Sequence, residues 1–358
     1  MPKPMSMSIA GRRIGPDEPP YVIAELSANH NGDIERAFAI MDAAKAAGAD
    51  AIKLQTYTPD TITIDHDGPG FRIEEGPWRG RTLHDLYREA HMPWPWHAPL
   101  FARARELGLA IFSSVFDETS VDLLEELGTP AYKIASFEMI DLPLIERAAR
   151  TGKPLIISTG MASREEIADA VAAARRGGAT DLALLYCVSG YPTPAAEANL
   201  RTIPDLAASF GTVVGLSDHS LGIGVAVAGV ALGAAIIEKH VTLRRADGGP
   251  DSGFSLEPDE LAALCAGCRD AHAALGAVRY GGKASESTSK LHRRSIYAVA
   301  DIAQGEALTE QNVRSIRPGF GLAPKHMPEI LGRPAARSIA RGTPISWDLL
   351  PAQLRRAG

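Results

Sequence analysis

The stretch GIGVAVAGVALGAAIIEKH, residues 222–240, decides how the chain is read. It is the most apolar segment, but its apolar part falls short of the roughly 20 residues a membrane span needs. Glycine and alanine dominate it, and Glu-Lys-His follows. Those features suit a buried helix running into a strand, AIIEKH (235–240). Another apolar run, TVVGLS (212–217), precedes it. The segment therefore reads as one strand–helix–strand step, and the fold depends on whether that step repeats.

It repeats along most of the chain. Candidate strands are YVIAEL (21–26), AIKLQT (51–56), AIFSS (110–114), AYKIAS (131–136), PLIIST (154–159) and LALLYC (182–187). With the two above they number eight. Between them lie helical patterns such as DIERAFAIMDAAKAAG and SREEIADAVAAARRGG, several closing on glycine, the usual C-terminal stop. Eight such units over roughly 250 residues predict a (β/α)8 TIM barrel. The alternative, an open doubly wound sheet, usually carries a glycine-rich turn after its first strand, and none stands there.

A long insertion over 57–97, rich in Gly, Pro, Trp and charge, follows the second strand. In a barrel it falls on the catalytic face, as a candidate lid or substrate loop. The alternative is that Trp78, Trp94 and Trp96 pack against the rim. After the last barrel helix the character changes. The expected division is a catalytic domain over 1–280, a linker over 281–291 and a small, mostly-β domain over 292–358. Within the last, SIYAVADIAQGEALTEQNV and RSIARGTPISWDLL share a glycine turn, a weak internal echo.

Composition bounds the function. The chain has 358 residues, 45% of them hydrophobic, and a formal net charge of −6. A chain this size builds a large core, and its mild acidity argues against a nucleic-acid partner. Three cysteines, Cys187, Cys265 and Cys268, suggest a reducing compartment without a disulfide framework. The single C-x-x-C, inside a helical stretch, lacks the second pair of a zinc site and reads as packing. The N-terminus has no apolar core of a signal peptide. A soluble, cytoplasmic protein with no membrane partner is expected.

Chemistry in a barrel sits where the strands end. Here the ends carry Glu25, Lys53, Gln55, Ser114, Lys133, Ser136, Glu138, Ser189, Tyr191, Ser217, His219 and His240. Charges inside apolar strands are costly unless paired or liganded. Lys53 and Lys133, with serines nearby, suit an anionic phosphate or carboxylate. The plainer reading is a buried pair, Lys53 with Glu25. His219 and His240 end adjacent strands about 4.8 Å apart, close enough to share a divalent ion, with Glu25 across the barrel seam as a possible carboxylate ligand. That donor set suits Mn²⁺, Zn²⁺, Fe²⁺ or Co²⁺ alike. Asp218 and Glu238 are read as turned the other way by alternation.

IAELSANHNG, KLQTYTPDT, YKIASFEM, STGMAS, SGYPTP, GLSDHS and EKHVT, in this order, resemble the sialic acid synthase family. The match covers nearly the whole chain, and the tail RRSIYAVADIAQGEALTEQNVRSIRPGFGL resembles that family's C-terminal SAF (antifreeze-like) domain. The resemblance implies condensation of phosphoenolpyruvate with an N-acylated amino sugar. It implies His219 and His240 as ligands of a divalent metal ion, Mn²⁺ first, with Mg²⁺ or Co²⁺ as alternatives. It places Lys53, Ser114, Lys133, Ser136, Ser189 and Ser217 on phosphoenolpyruvate. It places Glu25, Gln55, Glu138, Tyr191 and Asp251 at the sugar or the reacting carbons. Arg317 would reach a partner's barrel in a domain-swapped homodimer. Ser27-Ala28, Leu54 and Ser189 depart from sialic acid synthases and favour a 6-deoxy sugar, 2,4-diacetamido-2,4,6-trideoxy-altrose, with the legionaminic precursor next. Two rival readings remain: a pyruvate aldolase working through a lysine Schiff base, and a saccharide-binding protein without turnover.

Overall fold

The computed structural model describes residues 5–76 and 78–351. The chain divides into two compact units, Met1–Gly276 and Ala277–Gly358.

The first unit opens with a hairpin that the sequence reading did not foresee, β1 (Met7–Ile9) and β2 (Arg12–Ile14). Its turn residues Ala10 and Gly11 both take positive φ, 49° and 80°, the geometry that two-residue hairpins need. Eight parallel strands follow: β3 (Tyr21–Glu25), β4 (Ala51–Thr56), β5 (Ala110–Val115), β6 (Tyr132–Ile134), β7 (Leu155–Ser158), β8 (Leu182–Cys187), β9 (Val213–Asp218) and β10 (Ile236–His240). They close into a barrel in chain order, with β10 against β3. The TIM barrel expected from the strand–helix repeat is the fold.

The opening stretch forms the helix Gly224–Ala231 and then β10. No described helix is long and apolar enough to cross a membrane. Capping sets the helix limits elsewhere. Asp33 accepts from Glu35 N at the start of Ile34–Ala47, and Gly48 ends it at φ 87°. Ser163 and Glu166 form a capping box for Arg164–Arg176. Cys265 and Cys268 are buried, free and packed in the helix Pro258–Leu275, as read from sequence.

Alternation divides the strand residues between two cores. Val22, Ala24, Ile52, Leu54, Ile111 and Ile157 face the helices. Tyr21, Ile23, Phe112, Ile156, Leu185 and Ile236 fill the barrel interior. The hairpin's Met7, Ile9 and Ile14 join this inner core and plug the N-terminal end. Gly215 of β9 lies in this floor, where a Cβ would collide with the Ile236 carbonyl and the Leu185 side chain. The lower barrel is thus solid apolar packing.

The second unit carries β11 (Ser295–Ala298) and β12 (Val313–Ile316), which pair antiparallel. Within 281–291 lie a 3-10 turn, Ala284–Glu286, and a short helix, Ser287–Leu291. The echo in the sequence has a structural basis. Ile302 and Ile339 exchange both backbone hydrogen bonds at 2.8 Å. The bridges Tyr297–Pro344 and Ala307–Pro334 share this antiparallel register, so the two echoing segments lie paired side by side. Its core is Ile296, Ile302, Leu308, Val313, Ile339 and Ile345.

Candidate active site

Above the apolar floor, the next inward position on every barrel strand is polar or a thiol: Glu25, Lys53, Ser114, Lys133, Ser158, Cys187, Ser217 and Glu238. All are buried. Glu25 and Lys53 lie in register on neighbouring strands. Lys53 Nζ is 2.5 Å from Glu25 and 3.5 Å from Glu238, and donates to Ser114 Oγ at 2.9 Å. The Lys53–Glu25 pair considered from sequence therefore exists. Glu238 does not turn outward as that reading had it. It is two residues from His240, so strand alternation puts both on the inner face. Asp218 does turn outward, to Lys239 at 2.6 Å.

The two inner lysines differ. Burial works against the Lys53 ammonium, but Glu238 and Glu25 outweigh it and hold its pKa above the ordinary value. Lys133 donates to Ser158 Oγ at 2.6 Å and the Ile134 carbonyl at 3.1 Å, and has no ion-pair partner among the described residues. Burial pushes its pKa down. Burial also pushes Glu238 up, yet Lys133 and Lys53 keep its carboxyl below the usual range. Glu25 is driven up by burial in spite of Lys53.

His219 and His240 meet higher in the mouth, ring centroids 5.3 Å apart. His219 Nδ1 lies 3.1 Å from the Val188 carbonyl, which leaves Nε2 a lone pair. His240 Nδ1 is buried without a hydrogen-bond partner. Burial, with His219 adding to it, holds His240 well below its ordinary pKa, as a neutral imidazole. Burial works against a charged His219, but Cys187, 3.8 Å from its Nδ1, outweighs it and raises that pKa. Once its Nε2 proton is shed, His219 and the neutral His240 together fit a divalent ion. No group of three or more His, Cys, Asp or Glu suited to a metal occurs among the described residues.

The remaining candidates gather around this centre. Tyr191 lies 4.5 Å from the His219 ring, and Phe254 lies 5.0 Å from His240. A Cβ on Gly160 would collide with the hydroxyls of both Ser136 and Ser189, so these two serines converge there. Ser217 Oγ donates to Glu238 at 3.3 Å. Glu138 Oε2 is buried and unpartnered, and burial raises that carboxyl to about 7. Arg317 is exposed at the end of β12 in the second unit.

Alternate side chains of SANHN, after β3, pin the loop after β10. Ser27 donates to Asp251, Asn29 to the Val241 carbonyl and Ser255, and Asn31 to the Gly248 carbonyl. Gln55 Nε2 donates to Glu25 at 3.1 Å and to Ser27 Oγ at 3.0 Å. The insertion contributes Trp78, whose Nε1 donates to the Pro250 carbonyl at 3.0 Å and whose ring lies 5.8 Å from Tyr191. Trp96 instead packs on the rim against His30, at 5.5 Å. Trp78, Tyr191 and Phe254 line a cavity of about 540 Å³. Ser158, Cys187 and Glu238 end strands in the sequence but were given no role in the site there, and Phe254 was not singled out. Strand parity would have found the first three.

Comparison with known proteins agrees with this architecture. Residues 40–280 match the NeuB family and residues 293–351 the SAF domain.

The chain belongs to the NeuB family. Among its relatives is the pseudaminic acid synthase of Helicobacter pylori, 43% identical over 92% of this chain and 98% of that protein. The N,N'-diacetyllegionaminic acid synthase of Legionella pneumophila is 34% identical over 93% of this chain and 95% of that one. In structure, the N-acetylneuraminic acid (sialic acid) synthetase of Leptospira borgpetersenii, in complex with citrate, superposes with a TM-score of 0.71 at 33% identity. That match covers 80% of this chain and 95% of the other. The family anticipated from the ordered motifs is the one found.

Proposed function

We propose that the chain condenses phosphoenolpyruvate with 2,4-diacetamido-2,4,6-trideoxy-altrose and water, giving pseudaminic acid and phosphate. The observation that carries this is Lys133, a buried cation facing the barrel mouth with serines but no ion-pair partner around it. Such a site calls for an anionic ligand. The pseudaminic acid synthase relative supports the choice of product, its 43% identity exceeding the 34% of the legionaminic relative.

Lys133 and Lys53, with Ser114, Ser136, Ser189 and Ser217, hold phosphate and carboxylate and fix the enol carbon against the sugar aldehyde. His219 and His240 would hold a divalent ion, Mn²⁺ in the first instance, which when bound polarises the aldehyde oxygen. Water adds to the carbon that carries the phosphate, and C–O cleavage releases phosphate. Glu138 suits removal of the water proton, having a free oxygen and a carboxyl raised to about 7. Glu25 suits it less, being engaged by Lys53. Asp251, Gln55 and Tyr191 face the sugar.

The active form in this reading is a domain-swapped homodimer, Arg317 of each copy serving the other's mouth. Exposed Phe137, Ile140, Met161 and Leu221 on the loops after β6, β7 and β9 offer a partner an apolar rim. Mixing Arg317→Ala with His240→Ala protein restores activity if the arginine acts between subunits.

The deciding assay is phosphate release from phosphoenolpyruvate with Mn²⁺, the di-acetamido altrose and N-acetylmannosamine side by side. Turnover of the first alone is expected. Turnover of N-acetylmannosamine alone overturns the sugar assignment, and no release with any aldose overturns the activity.

A further inference from the structure

Ser27 is a buried residue other than glycine in the left-handed region, with φ 48°. That conformation disfavours a side chain and persists only where the surroundings over-determine it. Here they do. Ser27 Oγ receives Gln55 Nε2 at 3.0 Å and donates to Asp251 Oδ2. Ala28 N also lies 3.5 Å from Oδ2. Oδ1 of Asp251 takes no hydrogen bond among the described residues. The serine thus joins β4 to the loop after β10 and turns one carboxylate oxygen away from the protein's own donors.

We infer that Ser27 is a positioning residue for sugar recognition: its strained backbone presents a hydroxyl that fixes Asp251, leaving Oδ1 to accept a hydroxyl or acetamido N–H of the amino sugar. This rests on the synthase reading above. Glycine would fit the backbone better and lose the hydroxyl, so the strain is kept for the contact. The role belongs to the sugar side of the site, because Ser27 touches none of the lysines or serines assigned to phosphoenolpyruvate.

The test is steady-state kinetics of Ser27→Gly, Ser27→Ala and Asp251→Asn in the full-length protein, with thermal melts. Both Ser27 variants should raise the KM for the sugar about tenfold, the worth of one hydrogen bond to a charged group. The KM for phosphoenolpyruvate should stay within about twofold. Ser27→Gly should melt above Ser27→Ala, because both lack the hydroxyl and only alanine keeps a Cβ at positive φ. Adding Ser27→Gly to Asp251→Asn should cost little more than Asp251→Asn alone. An unchanged sugar KM in Ser27→Gly overturns the inference. So does a parallel rise in both KM values with loss of stability, which marks a merely structural serine. If the parent releases no phosphate with any aldose, the synthase reading falls first, and this inference with it.

Discussion

Lys133 and Lys239 sit on barrel strands at 2% and 1% exposure, and their surroundings differ in kind. Lys239 points outward from β10, bonded to Asp218 at 2.6 Å and to the Ser220 carbonyl at 2.5 Å. Asp218 in turn accepts from Ser220 N at 2.9 Å. That cation is complete within the protein, and its bonds tie together the residues on either side of His219. Lys133 points inward and finds only one hydroxyl and one carbonyl. A buried charge whose pairing is finished belongs to the scaffold. One whose pairing is unfinished waits for a ligand.

The contrast is tested most severely at Lys133. Lys133→Met should lower phosphoenolpyruvate affinity by at least about a hundredfold, since it removes charge-assisted hydrogen bonds to an anion. The ligand-free protein should lose little stability, because Lys133 makes no ion pair among the described residues and Lys53 still faces Glu238. Calorimetry with phosphoenolpyruvate and urea denaturation read the two quantities. Unchanged affinity would remove the lysine from the anion site.

Asp218→Asn should behave in the opposite way. Breaking a buried pair costs about 3 kcal/mol, at the low end of the range because burial already lowers the Lys239 pKa and lets it shed its proton. The urea midpoint should fall while phosphoenolpyruvate affinity holds. Replacing both partners, Asp218→Leu with Lys239→Met, should recover most of the stability. Mn²⁺ affinity, read by electron paramagnetic resonance, should stay weakened in the double variant if the pair also sets the spacing of His219 and His240. Recovery of both quantities would leave the pair a purely structural role.

The barrel was legible because its strands are buried on both faces and read as short apolar runs bounded by glycine stops. The inward lysines stood out for the same reason, as charges in runs such as AIKLQT and AYKIAS. Glu238 was misread although the information was present: it shares a face with His240 by the two-residue period. The N-terminal hairpin escaped because each strand is three residues long and its turn is Ala-Gly rather than a strong hairpin pair. Nothing in the letters SAN announces that Ser27 takes positive φ, since serine has no preference for it. Trp78 and Trp96 look alike in sequence. Only the tertiary contacts send one to the mouth and the other to the rim.

The smallest effect concerns Glu138 and depends on the same lysine. Burial raises its carboxyl to about 7, and Lys133 is among the groups that restrain the rise. In the unfolded chain a glutamate titrates near 4.3. Between those two values the folded state holds a proton that the unfolded state has released, so stability falls as pH rises from about 4.5 to about 7 and then levels off. Glu138→Gln carries no titrating proton and should lose this part of the slope. The difference in melting temperature between parent and variant is then the measurement, taken at intervals from pH 4.5 to 8. In a Lys133→Met background the restraint is weaker, the folded pKa moves higher, and the window in which the parent loses stability extends further into the alkaline range. A window that does not move when Lys133 is replaced would mean that the two groups do not share one field, and that the unfinished charge of Lys133 is answered elsewhere in the mouth.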